Sequence, residues 1–474
     1  MGGLDARFSA SCNLCRHWRD HHGPDIATFS KTRFRSVCQH GNTPQRQLTL
    51  AVSGWSLLGL VAGVLFCFGA SAQDLRGHGG PIRAISIAPD GRAAITGSFD
   101  TSSIEWDLGS SVARSIFRKH EGPVNAVLAL ANGIFVTGGD DGRVAVWASG
   151  QQVPVRILET RDAPIAALAA SPDGAIIASA GWDGDIHLLQ IDGTSEPVVL
   201  KGHAGQVSAL IYTPDGVLVS GAYDATIRFW KAGREIRAVQ LQSPINKLAL
   251  IPSGLIAACA DGHLRIVSDK EDNVGDVELS AFPIVALAVS PLGDLVVAGS
   301  IDGRVIFVDP WKKTVLREHQ SRGWPVWALA FTPDGRQFFS GGGDGLGRRW
   351  DVETGEPLGA ATAEAEESVP KPLRQTRGAE VFKACSACHT LRDDDAPRAG
   401  PTLHGIMGRH IASTSNYTYS DAFHTLDIVW GRDTIAKLFE IGPHAYTPGT
   451  KMPEQRLNPA DREALVDFLD EATR

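Results

Sequence analysis

The chain has 474 residues, enough for two or three domains, and its 43% hydrophobic and 21% charged residues are typical of a globular protein. Its formal net charge is −8 and no strongly basic block occurs, which argues against nucleic acid as a partner.

The N-terminal part contains one long apolar run, residues 48–69, which the small residues Ala70, Ser71 and Ala72 follow. An apolar segment that ends in an A-x-A site, with arginines upstream, is typical of a secretory signal peptide. We therefore predict that residues 1–72 are a leader and signal peptide and that the protein is exported to the periplasm. About 20 apolar residues also suffice to span a bilayer. An uncleaved membrane anchor at 48–69, with the protein facing the periplasm, is the alternative.

Residues 73–360 repeat one pattern seven times. In each repeat, short apolar runs surround an aspartate, and a tryptophan or an aliphatic residue follows six positions later. The aspartates are Asp100, Asp141, Asp183, Asp224, Asp261, Asp302 and Asp344. The pattern resembles WD40 repeats. The resemblance implies an all-β, seven-bladed propeller, in which four-stranded sheets bury each other's faces.

In the WD40 family, a histidine, a serine or threonine, the aspartate and the tryptophan form a buried hydrogen-bond network within a blade. Three repeats contain all four residues, namely His78/Thr96/Asp100/Trp106, His120/Thr137/Asp141/Trp147 and His203/Ser220/Asp224/Trp230. Because the set recurs once per blade, whereas a catalytic triad occurs once in a protein, we interpret it as structural.

The later repeats depart from this pattern. The seventh contains Ser340, Asp344 and Trp350, but His319 is displaced along the sequence. The fifth and sixth lack the histidine, the hydroxyl and the tryptophan, so we expect them to depend on aliphatic packing. Either residues 73–76 or residues 356–362 would supply the outer strand that completes the last blade.

Beyond the repeats the chain changes character. Residues 361–374 are rich in alanine, glutamate and proline, which predicts a short, stiff linker. Residues 375–474 have helical patterns: a short helix at 378–384, a second at 433–440, and a third that Asn458 caps. The sequence thus predicts a small all-α domain after the propeller.

This second domain contains the motif C-x-x-C-H at Cys385, Cys388 and His389. On one helical turn, two thiols at this spacing reach the two vinyl groups at one edge of a porphyrin, and the histidine becomes an axial ligand of the iron. The spacing also occurs in half of a zinc site and in disulfides. The motif alone leaves these alternatives open.

Two downstream segments favour haem. Pro448-Gly449-Thr450-Lys451-Met452 and the segment from Gly400-Pro401 to Gly408-Arg409 match motifs of class I c-type cytochromes of the mitochondrial type, and the resemblance covers residues 375–474. It implies one covalent haem c, with its iron bound by His389 and Met452.

The resemblance also implies roles for surrounding residues. The Pro401 carbonyl would accept the N–H of the axial histidine, and Arg409, Tyr419 and Trp430 would surround the haem propionates. Gly378 and Phe382 would pack on Leu465 and Phe468. Phe439 departs from the family, since many relatives have a tyrosine there.

Other iron ligands remain conceivable. Met407 is the only other methionine after the leader, and methionine is usually a core residue. Bis-histidine ligation would use one of His404, His410, His424 and His444, which we expect on loops or the surface.

The sequence therefore predicts a periplasmic carrier of single electrons, without a catalytic site, whose propeller is a docking platform for a redox partner protein. One alternative is an oxidoreductase whose propeller holds a second cofactor or substrate and passes electrons to the haem. Asp185, His187 and His263 are polar residues outside the repeat pattern that such a site would use. Another is a regulatory or assembly protein with a redox-sensing haem.

Overall fold

The computed structural model describes residues 73–268, 274–320, 324–359, 369–393, 397–415 and 417–474. The predicted leader and most of the predicted linker lie outside these ranges. No helix within them is both long and apolar enough to cross a membrane.

Residues 75–351 form seven four-stranded antiparallel sheets, so the predicted propeller is confirmed. The first strand, β1 (Leu75–Arg76), belongs to the last blade. Blade one contains β2 (Ile82–Ile87), β3 (Ala93–Ser98), β4 (Ser103–Asp107) and β5 (Val112–Phe117). Blade two contains β6 (Val124–Ala129), β7 (Ile134–Gly139), β8 (Arg143–Ala148) and β9 (Arg156–Thr160), with a 3-10 turn at Ala131–Gly133. Blade three contains β10 (Ile165–Ala170), β11 (Ile176–Gly181), β12 (Ile186–Gln190) and β13 (Val198–Leu200).

The remaining blades follow the same order. Blade four contains β14 (Val207–Tyr212), β15 (Leu218–Ala222), β16 (Thr226–Lys231) and β17 (Arg234–Gln240). Blade five contains β18 (Ile245–Ile251), β19 (Gly254–Cys259), β20 (His263–Ser268) and β21 (Val274–Glu278). Blade six contains β22 (Ile284–Val289), β23 (Val296–Ser300), β24 (Arg304–Asp309) and β25 (Thr314–Gln320). Blade seven contains β26 (Val326–Phe331), β27 (Gln337–Gly342) and β28 (Leu346–Asp351). The first strand of each blade contacts that of the next, and β26 contacts β2, so these seven strands form a closed inner ring.

The ring is completed by the N-terminal strand. β1 pairs with β28, with Leu75 opposite Gly347 and Arg76 opposite Leu346. Residues 75–76 therefore form the regular outer strand of blade seven. Pro357 adds an isolated antiparallel bridge to Trp350 on the same edge of β28, and the Leu358 N–H donates to the Arg349 carbonyl at 2.8 Å. Leu75 is fully buried, so the strand also adds apolar surface to the core.

The three predicted blade networks are present. In blade one, His78 contacts Asp100 through Nδ1 (2.9 Å) and Thr96 through Nε2 (2.7 Å). The indole N–H of Trp106 donates to the same threonine oxygen at 2.8 Å. Blades two and four repeat this arrangement at their corresponding residues.

We expected blades five and six to depend on aliphatic packing. The structure shows that ion pairs also stabilise the turns of these blades and of blade seven. In blade five, Arg265 donates to both carboxylate oxygens of Asp261, at 3.0 and 2.6 Å. Arg304 binds Asp302 in blade six, and Arg348 binds Asp344 in blade seven. A guanidinium thus replaces the histidine as the partner of the turn aspartate, because its planar group of N–H donors suits a carboxylate. His319 lies on β25 and packs edge-on against Trp350 instead.

The C-terminal domain is helical, as predicted. Its described residues form 3-10 turns at Lys371–Leu373 and Asp421–Thr425, and four helices, α1 (Arg377–Phe382), α2 (Arg432–Ile441), α3 (Pro443–Tyr446) and α4 (Pro459–Ala472). Asn458 caps α4, since its side chain accepts from the Asp461 N–H.

Helices α1 and α4 cross at Gly378. A Cβ atom there would lie 2.2 Å from the carbonyl oxygen of Ala464 and 2.4 Å from the Cβ of Phe468. The rings of Phe382 and Phe468 meet next to this crossing, with centroids 5.2 Å apart. The crossing fixes the direction of α1, and the C-x-x-C-H motif follows at the end of this helix.

Candidate cofactor site

The helical domain contains a cavity of about 530 Å³, within the usual size range of ligand pockets. All eight predicted cofactor-binding residues line it, namely Cys385, Cys388, His389, Pro401, Arg409, Tyr419, Trp430 and Met452. Residues from four separate parts of the domain therefore converge on one space.

The histidine of the motif is held by the backbone. The N–H groups of Cys388 and His389 both donate to the Cys385 carbonyl, so the motif forms a helical turn. The His389 Nδ1 lies 2.8 Å from the Pro401 carbonyl oxygen, to which it donates. Nε2 is then left with its lone pair, the state of imidazole that binds a metal. Burial also lowers the pKa of His389, which favours the neutral ring.

Gly400 makes room for this imidazole. A Cβ atom at Gly400 would lie 2.5 Å from the Cε1 of His389. The loop that carries the Pro401 carbonyl can therefore approach the ring closely only with glycine at this position.

The two cysteines are in the state from which thioethers to a haem are formed. Both are free thiols, with Cys385 buried and Cys388 half-buried. Burial raises the pKa of Cys385 to about 11 and that of Cys388 to about 12. Buried, uncharged thiols fit the covalent thioethers of a haem, and a zinc site would need further ligands beside them. Within the described ranges, no group of three or more His, Cys, Asp or Glu side chains is arranged to hold a metal ion.

The alternative iron ligands lie elsewhere. Both methionines pack against the hydrophobic core of the helices, but of the two only Met452 lines the cavity. All four other histidines of the domain are exposed, namely His404, His410, His424 and His444. Two of them have carboxylate neighbours on the surface: His410 lies 3.0 Å from Asp427, and His444 lies 3.4 Å from Glu454.

The polar part of the cavity fits the carboxylates of a haem. Arg409 donates to the carbonyl oxygens of His404 (2.8 Å) and Thr402 (2.7 Å), and burial lowers the pKa of its guanidinium. A cation with backbone partners is stabilised by an anion such as a propionate. The backbone N–H of Trp430 donates to the backbone carbonyl of Arg409 at 2.9 Å, and both residues line the cavity.

Much of the remaining lining of the cavity is apolar and fits a porphyrin. Its lining includes Phe382, Ile435, Leu438, Phe439, Leu465 and Leu469. Phe439 is 4% exposed and lines the same cavity as Met452, but its ring carries no hydroxyl group. The residues present therefore fit a haem c on both its apolar and its acidic sides.

Sequence reasoning missed one contribution to this site. The propeller also lines the cavity, through residues of its first two blades that include Gly79, Asp100 and Arg118. None belongs to a cytochrome motif. A weak signal was available, since Gly79 occupies a loop position where other blades carry side chains.

The polar residues considered for a second cofactor in the propeller have local partners. Asp185 binds Lys201 at 3.0 Å, and His263 lies 2.9 Å from Asp276. His187 contacts Glu159. Each pair lies within one blade or between adjacent blades. The three residues therefore have a structural role in the propeller that needs no second cofactor.

Fold and site together define a c-type cytochrome domain joined to a WD-repeat propeller. Residues 375–473 match the Cytochrome c family. Residues 69–107, 111–148, 152–188, 195–231 and 311–351 match the WD domain, G-beta repeat. The gap at 232–310 contains blade five and the first three strands of blade six, the two blades without the histidine and tryptophan.

Similar proteins agree with both parts. Cytochrome c of Stellaria longipes is 40% identical over 100 residues, and that of Cochliobolus lunatus is 41% identical over 100 residues; each alignment covers 21% of this chain and 92% of the relative. The Periodic tryptophan protein 2 homolog of Dictyostelium discoideum is 27% identical over 284 residues, which cover 56% of this chain but 28% of that protein. Through its C-terminal domain the chain belongs to the cytochrome c family. Its cofactor is haem c, and its class implies electron transfer through that haem.

Proposed function

We propose that this protein carries single electrons in the periplasm, with His389 and Met452 as the axial ligands of its haem iron. The observation that carries the proposal is the 2.8 Å hydrogen bond from His389 Nδ1 to the Pro401 carbonyl, in a cavity that Met452 also lines. When bound, the haem supplies an iron that alternates between Fe(II) and Fe(III).

The chain supplies the conditions for this chemistry. The loop at Pro401 fixes the orientation and protonation state of the imidazole. Iron that is bound by the sulfur of a methionine and the imidazole of a histidine has a relatively high reduction potential. With both axial positions filled by the protein, an external ligand such as O₂ has no free position, which favours electron carriage over oxygen chemistry.

Absorption spectroscopy of the purified holoprotein tests the ligand pair. The reduced protein should show a sharp low-spin α-band and should bind no CO at neutral pH. Ready CO binding to the wild-type protein would contradict six-coordinate His389/Met452 iron.

Export to the periplasm is supported by the apolar run 48–69 and by the A-x-A site at Ala70-Ser71-Ala72. N-terminal sequencing of the mature protein tests it, with a first residue of Gln73 expected in a soluble periplasmic fraction. A chain that retains 48–69 and sediments with membranes would indicate the anchored form.

We propose further that the propeller docks the redox partner. The WD repeats support a protein-binding role, and a docked partner is held at high effective concentration near the haem. Native affinity purification of the tagged full-length protein tests this. A partner with its own redox centre is expected, and partners without one would favour the regulatory or assembly role.

A further inference from the structure

We propose that the propeller forms one wall of the haem pocket and covers the haem edge that Cys388 holds. A folded redox partner would then reach this edge only when the two domains separate. This inference rests on the proposed electron-carrier function and adds a gate to it.

The two domains meet through hydrogen bonds beside the C-x-x-C-H motif. The Ala399 N–H donates to the Gly77 carbonyl of the propeller at 2.9 Å. The Arg118 guanidinium donates to the Arg398 carbonyl at 2.8 Å and lies 4.1 Å from the centre of the Tyr417 ring. A guanidinium over an aromatic ring adds cation–π attraction to these hydrogen bonds.

A second set of contacts lies next to Met452. The Lys451 ammonium donates to the carbonyl oxygen of His120, at the start of blade two. Thr418 lies 3.4 Å from Gln152, in the loop between β8 and β9. The propeller therefore touches the segment that carries the proposed sixth ligand as well as the one that carries the cysteines.

The two domains also approach each other closely at Gly79. A Cβ atom there would lie 1.9 Å from the Cys388 Sγ, and the other close atom is the Cβ of the same cysteine. The φ angle of Gly79 is not positive, so its backbone conformation does not require glycine.

Comparison with other blades shows that the propeller itself does not require this glycine. Each residue that follows the network histidine donates its N–H to the turn aspartate, from Gly79 to Asp100 at 2.8 Å, and from Glu121 and Ala204 to their own aspartates at 2.9 Å. The backbone thus performs the same task in all three blades, and two of them carry a side chain. Glycine at position 79 is explained by the approach of Cys388.

The propeller side of the cavity is extensive. It includes Gly79, Asp100, Thr101, Ser102, Arg118 and Gln152. The helical domain alone would leave this side of the pocket open to solvent. Because electron transfer between proteins requires close approach of the two redox centres, a wall at this edge restricts exchange with a bulky partner far more than exchange with a small ion.

The test compares two oxidants on the reduced, full-length holoprotein. One is a folded blue-copper protein, whose Cu(II) takes one electron to become Cu(I) while the protein is oxidised from Fe(II) to Fe(III), without proton transfer. The other is hexacyanoferrate(III), which takes one electron and is small. Stopped-flow rates are measured at about 1 M salt, where the Debye length is about 3 Å, so that charge steering is screened.

The variant is Gly79→Val, and its matched control is Ala204→Val, at the same position of blade four. Valine at position 79 cannot fit against Cys388 and should separate the two domains. The fraction of molecules whose haem edge a folded partner can reach should then increase. We expect the rate with the blue-copper protein to rise about tenfold or more in Gly79→Val and to stay unchanged in Ala204→Val. The rate with hexacyanoferrate(III) should change less than about threefold in both.

A second pair of variants leaves Cys388 untouched. Arg118 and Lys201 both lie two residues before a network histidine. Arg118 binds the helical domain, whereas Lys201 binds Asp185 within the propeller and therefore provides the control position. Arg118→Glu places a carboxylate against carbonyl oxygens and should raise the blue-copper rate, whereas Lys201→Glu should not. Small-angle scattering should show a larger radius of gyration for Gly79→Val and Arg118→Glu only.

If the blue-copper rates and the scattering curves of both Gly79→Val and Arg118→Glu equal those of the wild type, the proposal that the propeller covers the haem edge is wrong. The ligand assignment is tested separately by the α-band and by CO binding, so the two proposals fail in distinguishable ways.

Discussion

The imidazole of His389 and the carbonyl of Pro401 are joined by a 2.8 Å hydrogen bond, although Pro401 lies 12 residues further along the chain. This bond fixes which nitrogen of the ring carries the proton. The site is therefore arranged for metal binding by a residue outside the C-x-x-C-H motif. In the proposed function, Met452 of the same cavity would fill the remaining axial position of the iron.

Met452→Leu should open that position. Leucine retains apolar bulk but has no sulfur lone pair, so the reduced variant should lose its sharp low-spin α-band, become high-spin and bind CO. Met407→Leu is the matched control, because Met407 also packs against the helical core but does not line the cavity. Its spectrum should be that of the wild type. Opening of the iron by the Met407 variant, with Met452→Leu unchanged, would reverse the assignment.

Gly378→Ala should destabilise the cytochrome domain. The new methyl group would lie 2.2 Å from the Ala464 carbonyl oxygen, so α1 and α4 would have to move apart. Overpacking of this kind costs about 3 kcal/mol. Urea unfolding followed by haem absorbance measures the change.

Gly431→Ala provides the control for this crossing. A Cβ atom at Gly431 would meet nothing within 4 Å, and its backbone is extended, with φ of −160°. A loss below about 1 kcal/mol is expected. Equal losses in the two variants would show that the α1–α4 contact is not the cause.

The parts of the molecule that the sequence predicted are those in which chemistry or geometry demands one residue type. Haem attachment needs two thiols and an imidazole at fixed spacing, so Cys385, Cys388 and His389 mark a candidate site, and the downstream segments with Pro401 and Met452 favour haem over zinc or a disulfide. A propeller blade needs an aspartate at its tight turn, so Asp100 and its six counterparts reveal the repeat.

The parts that the sequence did not predict involve residue types with several possible partners. Arg265 could pair with many carboxylates, and only the fold shows that it binds Asp261. Leu75 resembles any apolar residue, so its role in closing the ring follows from its pairing with Gly347. The approach of Gly79 to Cys388 joins two domains, and no local pattern contains that information.

Thr96→Val should destabilise the propeller. Asp100 only accepts hydrogen bonds, so His78 donates to it through Nδ1 and accepts from the Thr96 hydroxyl through Nε2. The same hydroxyl accepts from the Trp106 indole at 2.8 Å. Valine has a similar shape but leaves both groups unpaired and buried, which should cost about 3 kcal/mol.

Urea unfolding followed by tryptophan fluorescence measures this loss. Thr194→Val is the control, because Thr194 is exposed and bonds only the nearby Asp192. We expect a change below about 1 kcal/mol there. A loss in Thr96→Val no larger than in the control would mean that the network does not stabilise its blade.

Lys247 occupies a position on the innermost strand of blade five at which the other six blades have alanine. The first residue after the bulge of each innermost strand is alanine in six blades, namely Ala84, Ala126, Ala167, Ala209, Ala286 and Ala328, and lysine in blade five. Burial, together with the nearby charge of Arg83, lowers the pKa of Lys247 to about 8. The charged ammonium is therefore unfavourable in the folded propeller.

Lys247→Ala should stabilise the propeller in a pH-dependent way. A lysine in the unfolded chain has a pKa of about 10.4, so between pH 8 and 10 the unfolded wild type binds more protons than the folded protein, and its stability rises with pH. At pH 7 both states are charged and the folded state bears the full cost, so the variant should be more stable by on the order of 2 kcal/mol. This advantage should shrink as the pH rises through 8 towards 10. Urea unfolding of both proteins at pH 7 and at pH 9.5 measures it, with the exposed Lys201→Ala as control. An advantage of equal size at both pH values would mean that the charge of Lys247 is not what destabilises the folded propeller.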